Sequence, residues 1–196
     1  ADYSQMELRV MAHVAKEKSL VQAFQAGEDI HRSTAAKIFG VSLDQVDDTM
    51  RANAKAINFG IMYGMGPQRL ARETGVSMNE ARAFIEKYFE GFPAIRKFIN
   101  DAIESAKTKG YTETITGRRR NLPDIHSDNR MIQAAAENVA INAPIQGSSA
   151  DIIKKAMIDI IEIFNKKGLK SRLLLQVHDE LVFEVPRSEL DEVKRL

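Results

Sequence analysis

The sequence predicts an α+β fold, a small antiparallel sheet joined to a larger, mostly helical body. Three observations carry this. Apolar residues recur at helical spacing through the middle of the chain, two short apolar runs flank a polar break at His178-Asp179-Glu180, and a β-branched run follows Gly110. With 196 residues, 44% of them apolar, and no apolar run of membrane-spanning length, the chain suits one ordinary domain or two lobes sharing a core. No membrane partner is expected.

Taken in order, Ala1-Asp2-Tyr3 reads as the end of a strand. Arg51 to Gly64 reads as a helix, with Met50, Ala54, Ile57 and Ile61 as its buried stripe. Leu70 to Arg82 combines a helix, a turn at Gly75 and a second helix, the pattern of a helix-turn-helix module. Ser77 and Glu80 form a capping-box signature, after which Ala81, Phe84, Ile85, Tyr88 and Phe89 recur at helical spacing. Gly91-Phe92-Pro93 breaks that helix, and Pro93 opens another, striped by Ile95, Phe98, Ile99, Ala102, Ile103 and Ala106 and ended by Gly110.

Tyr111 to Thr116 reads as a strand ending at Gly117. A strong helix is expected to start near Ser148 or Ser149, bury Ile152, Ile153, Ala156, Met157, Ile160, Ile161 and Phe164, and close at Lys166-Lys167-Gly168. Leu173 to Val177 and Leu181 to Val185 form a hairpin, and Ser188 caps a helix abandoned at Leu196. Both ends look cut, as expected of a piece of a larger protein.

Charge narrows the partners only a little. The 28 Lys+Arg against 27 Asp+Glu leave a formal charge of +1, so nucleic-acid binding has to come from local basic patches. Zero cysteines exclude a disulfide framework and Cys-based zinc sites, leaving oxygen or histidine as metal ligands. No basic n-region followed by an apolar stretch supports secretion or organelle import.

The helix from Arg51 offers a chemical face. At about 100° per residue, with Arg51 at zero, Lys55 falls near ~40°, Phe59 near ~80° and Tyr63 near ~120°. Met50, Ala54, Ile57 and Ile61 fall between ~240° and ~300° on the opposite side. Two cations could hold a triphosphate while two rings stack a base. The same spacing also fits plain surface charges beside a second core face, and periodicity does not choose between them. Asp2 at a strand end and Asp179 at a hairpin tip supply hard oxygens suited to magnesium, although a turn aspartate commonly serves its own backbone.

Asp2-Tyr-Ser-Gln-Met-Glu-Leu-Arg9, Arg51 to Gly64 and Val177-His-Asp-Glu180 resemble motifs A, B and C of the family A, or polymerase I type, DNA polymerases. Asp29-Ile-His31, Thr116-Gly-Arg-Arg-Arg120 and Asn142-Ala-Pro-Ile-Gln-Gly147 extend the resemblance over essentially the whole chain. It implies a palm sheet carrying Asp2 and Asp179 and a helical fingers subdomain. The palm would comprise residues 1–14 and 111–196, truncated at its C-terminus, and the fingers 15–110.

The resemblance also implies template-directed transfer of deoxynucleotides from deoxynucleoside triphosphates to a primer 3'-hydroxyl, releasing pyrophosphate. Two Mg2+ ions would be held by Asp2, Asp179 and the Tyr3 carbonyl, with Glu180 in support. Arg51 and Lys55 would bind the nucleotide phosphates, with Lys55 also protonating pyrophosphate. Phe59 would meet sugar and base and, lacking a ring hydroxyl, discriminate against dideoxynucleotides. Glu7 would crowd a ribose 2'-hydroxyl, Tyr63 would occupy the template side, and His31 and Gln5 would assist at the phosphates.

Asn142, Gln146 and His178 would lie near the primer end and minor groove of the primer-template DNA. Arg118, Arg119 and Arg120 would touch its backbone or minor groove. Met6 replaces the usual isoleucine of motif A, and Asn138 stands where arginine is common. The implied partners include a thumb and upstream domains of the parent chain, without which synthesis is expected to be weak and non-processive. A bacterial parent would be cytoplasmic and nucleoid-associated. A helix-turn-helix regulator is the rival reading, but it leaves Asp2, the Arg51 face and the Asp179 hairpin without a task.

Overall fold

A computed structural model describes residues 1–196. Seven helices come first, each begun or ended by recognisable chemistry. They are α1 (Met6–Val14), α2 (Lys18–Gln25), α3 (Ile30–Phe39), α4 (Asp48–Met62), α5 (Pro67–Thr74), α6 (Met78–Gly91) and α7 (Pro93–Lys109). Asp29 caps α3, Asp47 caps α4 and Ser77 forms the expected capping box on α6 with Glu80. Pro93 occupies the first turn of α7, and Gly110 closes it at φ 76°.

A core of 17 buried residues runs through these helices, joining Leu8 and Met11 of α1 to Ile57 and Ile61 of α4 and Tyr88 of α6. The stripe expected for α4 is buried at Ala54, Ile57 and Ile61, while Met50 is half-buried. The α5–α6 pair does turn through Gly75 in the left-handed region, yet Leu70 and Ala81 are sunk in this common core. The pair is therefore part of the helical body.

Two small antiparallel sheets follow. β1 (Tyr111–Glu113) pairs with β2 (Arg119–Asn121), and β3 (Arg172–Val177) with β4 (Glu180–Glu184). The strand expected over Tyr111 to Thr116 is therefore shorter, because Thr114 to Gly117 turns back and Thr114 N–H donates to the Arg118 carbonyl at 2.9 Å. The β3–β4 hairpin forms as expected. Ala1 and Leu181 exchange backbone hydrogen bonds and Asp2 bridges Glu180, so the first residues lie along β4 through an isolated bridge beside this two-stranded sheet.

The largest departure from the sequence reading is α8 (Arg130–Lys167), one helix of 38 residues containing Pro144. Ser148 and Ser149 are not its start. They lie inside it, donating to the Pro144 and Ile145 carbonyls. Pro144 lacks an N–H, which leaves the Ala140 carbonyl without its helical donor. Thr112 of β1 supplies one through Oγ1 at 3.3 Å, and the helix continues. On its C-terminal half Ile153 and Phe164 are buried, whereas Ile161, expected in the core, is exposed. Near the end of the chain, α9 (Leu190–Val193) follows a 3-10 turn over Arg187–Glu189. Ser188 does not cap it. Glu189 is the residue before the helix, and its carboxylate instead accepts from Lys170 and Ser171.

Candidate active site

The segment Asp2 to Arg9 enters the site where bridged, extended chain turns into α1. Tyr3 N–H donates to the Asp179 carbonyl at 3.1 Å, and Gln5 then turns the chain into α1 with φ 55°. On the facing hairpin, His178 sits at φ 53° in the turn between β3 and β4, and Gln176 Nε2 donates to its carbonyl at 2.9 Å. Left-handed backbone is uncommon for residues other than glycine and is held here by the surrounding sheet bonds. Asp179 thereby sits in the hairpin turn directly beside the first residues of the chain, where Asp2 and Glu180 are bridge partners.

A cleft of about 390 Å³ opens beside this turn, lined by Gln5 and Glu7, by Phe59 and Tyr63, and by Gln146, His178 and Asp179. Three stretches of chain, far apart in sequence, thus share one concavity with α8. Two larger concavities gather only one predicted site residue each, Arg120 in one and Glu180 in the other. The Tyr63 hydroxyl donates to Glu7 Oε2 at 2.6 Å. Burial, then the hydrogen bond and charge of Glu7, push the Tyr63 phenol up to about 12, with Gln146 pulling weakly the other way.

Arg51 and Lys55, on the N-terminal half of α4, do not line this cleft. Arg51 Nε donates to Asp29 Oδ2 at 2.7 Å, both side chains being about two-fifths exposed (39% and 37%). Lys55 is exposed and Phe59 is half-buried. His31 is only 3% exposed. Its Nδ1 accepts from Asn58 Nδ2 at 3.1 Å, so the neutral ring carries its proton on Nε2, and its ring centroid lies 5.8 Å from that of Phe59. Burial lowers the His31 pKa, and Arg51 and Lys55 add to this against the opposing charge of Asp29.

The arginine run is not a free solvated turn. Arg118 donates from Nε to Asp151 Oδ1 at 2.8 Å and from Nη2 to the Gly147 carbonyl at 3.0 Å. Thr114 and Thr116 donate to Asp151 Oδ2 at 2.7 and 2.6 Å. Arg119 lies over the Tyr111 ring and beside Glu113, while Arg120 is exposed next to a small recess reached by Gln146. Asn142 is half-buried, and its Oδ1 is buried without a partner. Asn138 packs against Gly64, where a Cβ would lie 2.0 Å from Asn138 Oδ1.

Asp151, Asn58 and Gln176 were missed from sequence. Each holds a site residue in place, and nothing in local spacing marks them. No group of three or more His, Asp or Glu side chains converges to hold a metal. The donors available are Asp2, Asp179 and the Tyr3 carbonyl, hard oxygens in the small number that suits magnesium when phosphates and water complete its shell.

Comparison with known proteins agrees with this geometry along the whole chain. The family model for DNA polymerase family A matches residues 1–196. DNA polymerase I of Streptococcus pneumoniae serotype 4 is 51% identical over 197 residues, an alignment covering all of this chain and 22% of that protein. The thermostable DNA polymerase I of Thermus filiformis is 48% identical over 196 residues, again covering all of this chain and 23% of the relative. Among solved structures, the POL domain of Pol1 from M. smegmatis, in complex with DNA primer-template and dNTP, superposes with a TM-score of 0.95. That alignment is 45% identical and covers 99% of this chain and 34% of that one. The chain therefore spans under a quarter of the length of these curated relatives. No helix is long and apolar enough to cross a membrane. A sequence match that runs from the first residue to the last, with a shared fold over 99% of the chain, means that the chain belongs to DNA polymerase family A.

Proposed function

We propose that this chain carries the nucleotidyl-transfer centre of a DNA-directed DNA polymerase, extending a primer 3'-hydroxyl with template-selected deoxynucleotides and releasing pyrophosphate. The observation that carries the reading is the cleft in which Gln5, Glu7, Phe59, Tyr63, Gln146, His178 and Asp179 meet. Polymerases of this family are metal-dependent. Asp2, Asp179 and the Tyr3 carbonyl would hold two Mg2+ ions, with Glu180 beside them. Bound there, the ions would activate the primer hydroxyl and stabilise the leaving phosphate oxygens.

The chain's own residues do the rest. Arg51 and Lys55 bind the triphosphate, and Lys55 delivers a proton to the departing pyrophosphate. Phe59 packs against sugar and base, and its lack of a hydroxyl disfavours dideoxynucleotides. Tyr63 borders the template side. Glu7, held by the Tyr63 hydroxyl, occupies the space a ribose 2'-hydroxyl needs. His31, neutral and with only Nε2–H left to donate, and Gln5 assist at the phosphates.

Asn142, Gln146 and His178 meet the primer end in the minor groove, where shared acceptors allow pairing to be tested without reading sequence. Arg118, Arg119 and Arg120 steady the DNA backbone. On this reading residues 1–14 and 111–196 form the palm, 15–110 the fingers, and a thumb and upstream domains complete the parent. In a bacterial cell such a protein works at the nucleoid.

Primer extension with Mg2+ and deoxynucleotides tests this, comparing the chain, its longer parent and Asp179→Ala in each. The parent should extend strongly and the isolated chain weakly, and Asp179→Ala should abolish extension. Extension at the parental rate by the Asp179→Ala parent would defeat the site assignment.

A further inference from the structure

Asp29 spends its two carboxylate oxygens on different tasks. Oδ1 accepts from the backbone N–H groups of His31 and Arg32 at 3.0 and 3.1 Å and so caps α3. Oδ2 accepts from Arg51 Nε at 2.7 Å. Arg51 uses only that one nitrogen within the protein, so both terminal Nη groups are left free to donate. A guanidinium gripped at Nε is fixed in its plane, with the fork of Nη donors presented outward, and a fork of that kind suits a phosphate.

We propose that Asp29 is a positioning residue for nucleotide binding: it anchors Arg51 through Nε so that the Nη fork stands ready for a triphosphate. The inference deepens the proposed function and rests on its assignment of Arg51 to the phosphates. An unanchored arginine would have to give up its rotamer freedom when the nucleotide arrives. Asp29 takes that loss in advance, during folding, because α3's own cap already immobilises the carboxylate. Asp29 is the carboxylate bonded to Arg51, and Lys55 lies one turn on along α4.

Asparagine separates the two tasks. Asp29→Asn keeps one oxygen, enough for the cap, and loses the second oxygen that Arg51 needs. Serine at the same position also caps and likewise offers no anchor. Steady-state extension by the full-length polymerase chain should show the deoxynucleotide KM rising roughly three- to tenfold in both variants, with kcat changing little and the melting temperature staying near the parent's. Arg51→Ala should raise KM by roughly ten- to a hundredfold, and adding Asp29→Asn to it should raise KM no further.

If Arg51→Ala raises KM and Asp29→Asn does not, the anchor is overturned while the phosphate assignment stands. The anchor is also overturned if Asn raises KM and Ser does not, because the effect would then belong to the new amide. If Arg51→Ala leaves KM unchanged, the phosphate assignment fails and the anchor with it.

Discussion

The Tyr63 hydroxyl lies 2.6 Å from Glu7 Oε2, joining the last residue of the α4 turn to α1 across the mouth of the cleft. Glu7→Gln should bring the Tyr63 phenol down from about 12 part of the way toward its ordinary 10.0, since burial, the larger cause, remains. Absorbance titration of the tyrosinate checks this. On the proposed reading, the same bond keeps the Glu7 carboxylate where a ribose would clash. Glu7→Ala should therefore let ribonucleotides in, while Tyr63→Phe should cost about 1 kcal/mol of stability for one part-exposed, charge-assisted hydrogen bond. Competitive incorporation assays and urea unfolding read the two effects.

His31 should make stability sensitive to mild acid. Its pKa in the folded protein lies below the 6.5 of the free side chain because burial disfavours the charged ring. The unfolded chain therefore binds the proton first. The associated stability is full above pH 6.5 and is lost as pH falls from there toward the lowered folded value. The slope cannot exceed about 1.4 kcal/mol per pH unit for one proton. Urea unfolding between about pH 4 and 8 should show this slope, and His31→Gln should remove it.

Asp151 should behave as a clasp between the β1–β2 turn and α8. Its side chain is 11% exposed and accepts from Thr114, Thr116 and Arg118. Asp151→Ala should lower stability by about 1–2 kcal/mol, because it removes three hydrogen bonds, two of them from the exposed Thr116 and Arg118, where water takes over the lost acceptor. Burial raises the Asp151 pKa, but the hydrogen bonds from Thr116, Thr114 and Arg118 outweigh it and hold it below 3.8. Its contribution is present above that pH and disappears as pH falls below it. Acid titrations of parent and variant should accordingly differ above pH 3.8 and converge below it.

Gly64 combines a left-handed φ of 67° with the contact to Asn138. Gly64→Ala should cost about 2 kcal/mol or more, part from the backbone and part from displacing the amide. In an Asn138→Ala background the steric part should vanish and about 1–2 kcal/mol of backbone cost remain. Chemical denaturation of the four proteins measures the coupling.

How far these features could be read in advance depends on their range. The α4 face was legible because one period of 3.6 residues places Ala54, Ile57 and Ile61 in the core and leaves Arg51 and Lys55 outside. The capping box on α6 and the β3–β4 hairpin are equally local. Nothing local relates Asp2 to Asp179, and only the likeness to family motifs brought them together. Asp151 was silent because its partners lie 33 to 37 residues earlier. The start of α8 was misread because Pro144 signals a break, and the donor that cancels the signal sits on another element.

That donor gives the Thr112 hydroxyl an outsized role. Ala140, whose carbonyl it serves, and Pro144 bracket the turn of α8 that carries Asn142, and Gln146 follows at once. The β1–β2 ribbon thus acts as a splint across the weakest point of a 38-residue rod. Whatever loosens the ribbon lets the rod flex where Asn142 and Gln146 are mounted, so wear at the hairpin would be felt as poorer aim at the cleft that Gln146 lines.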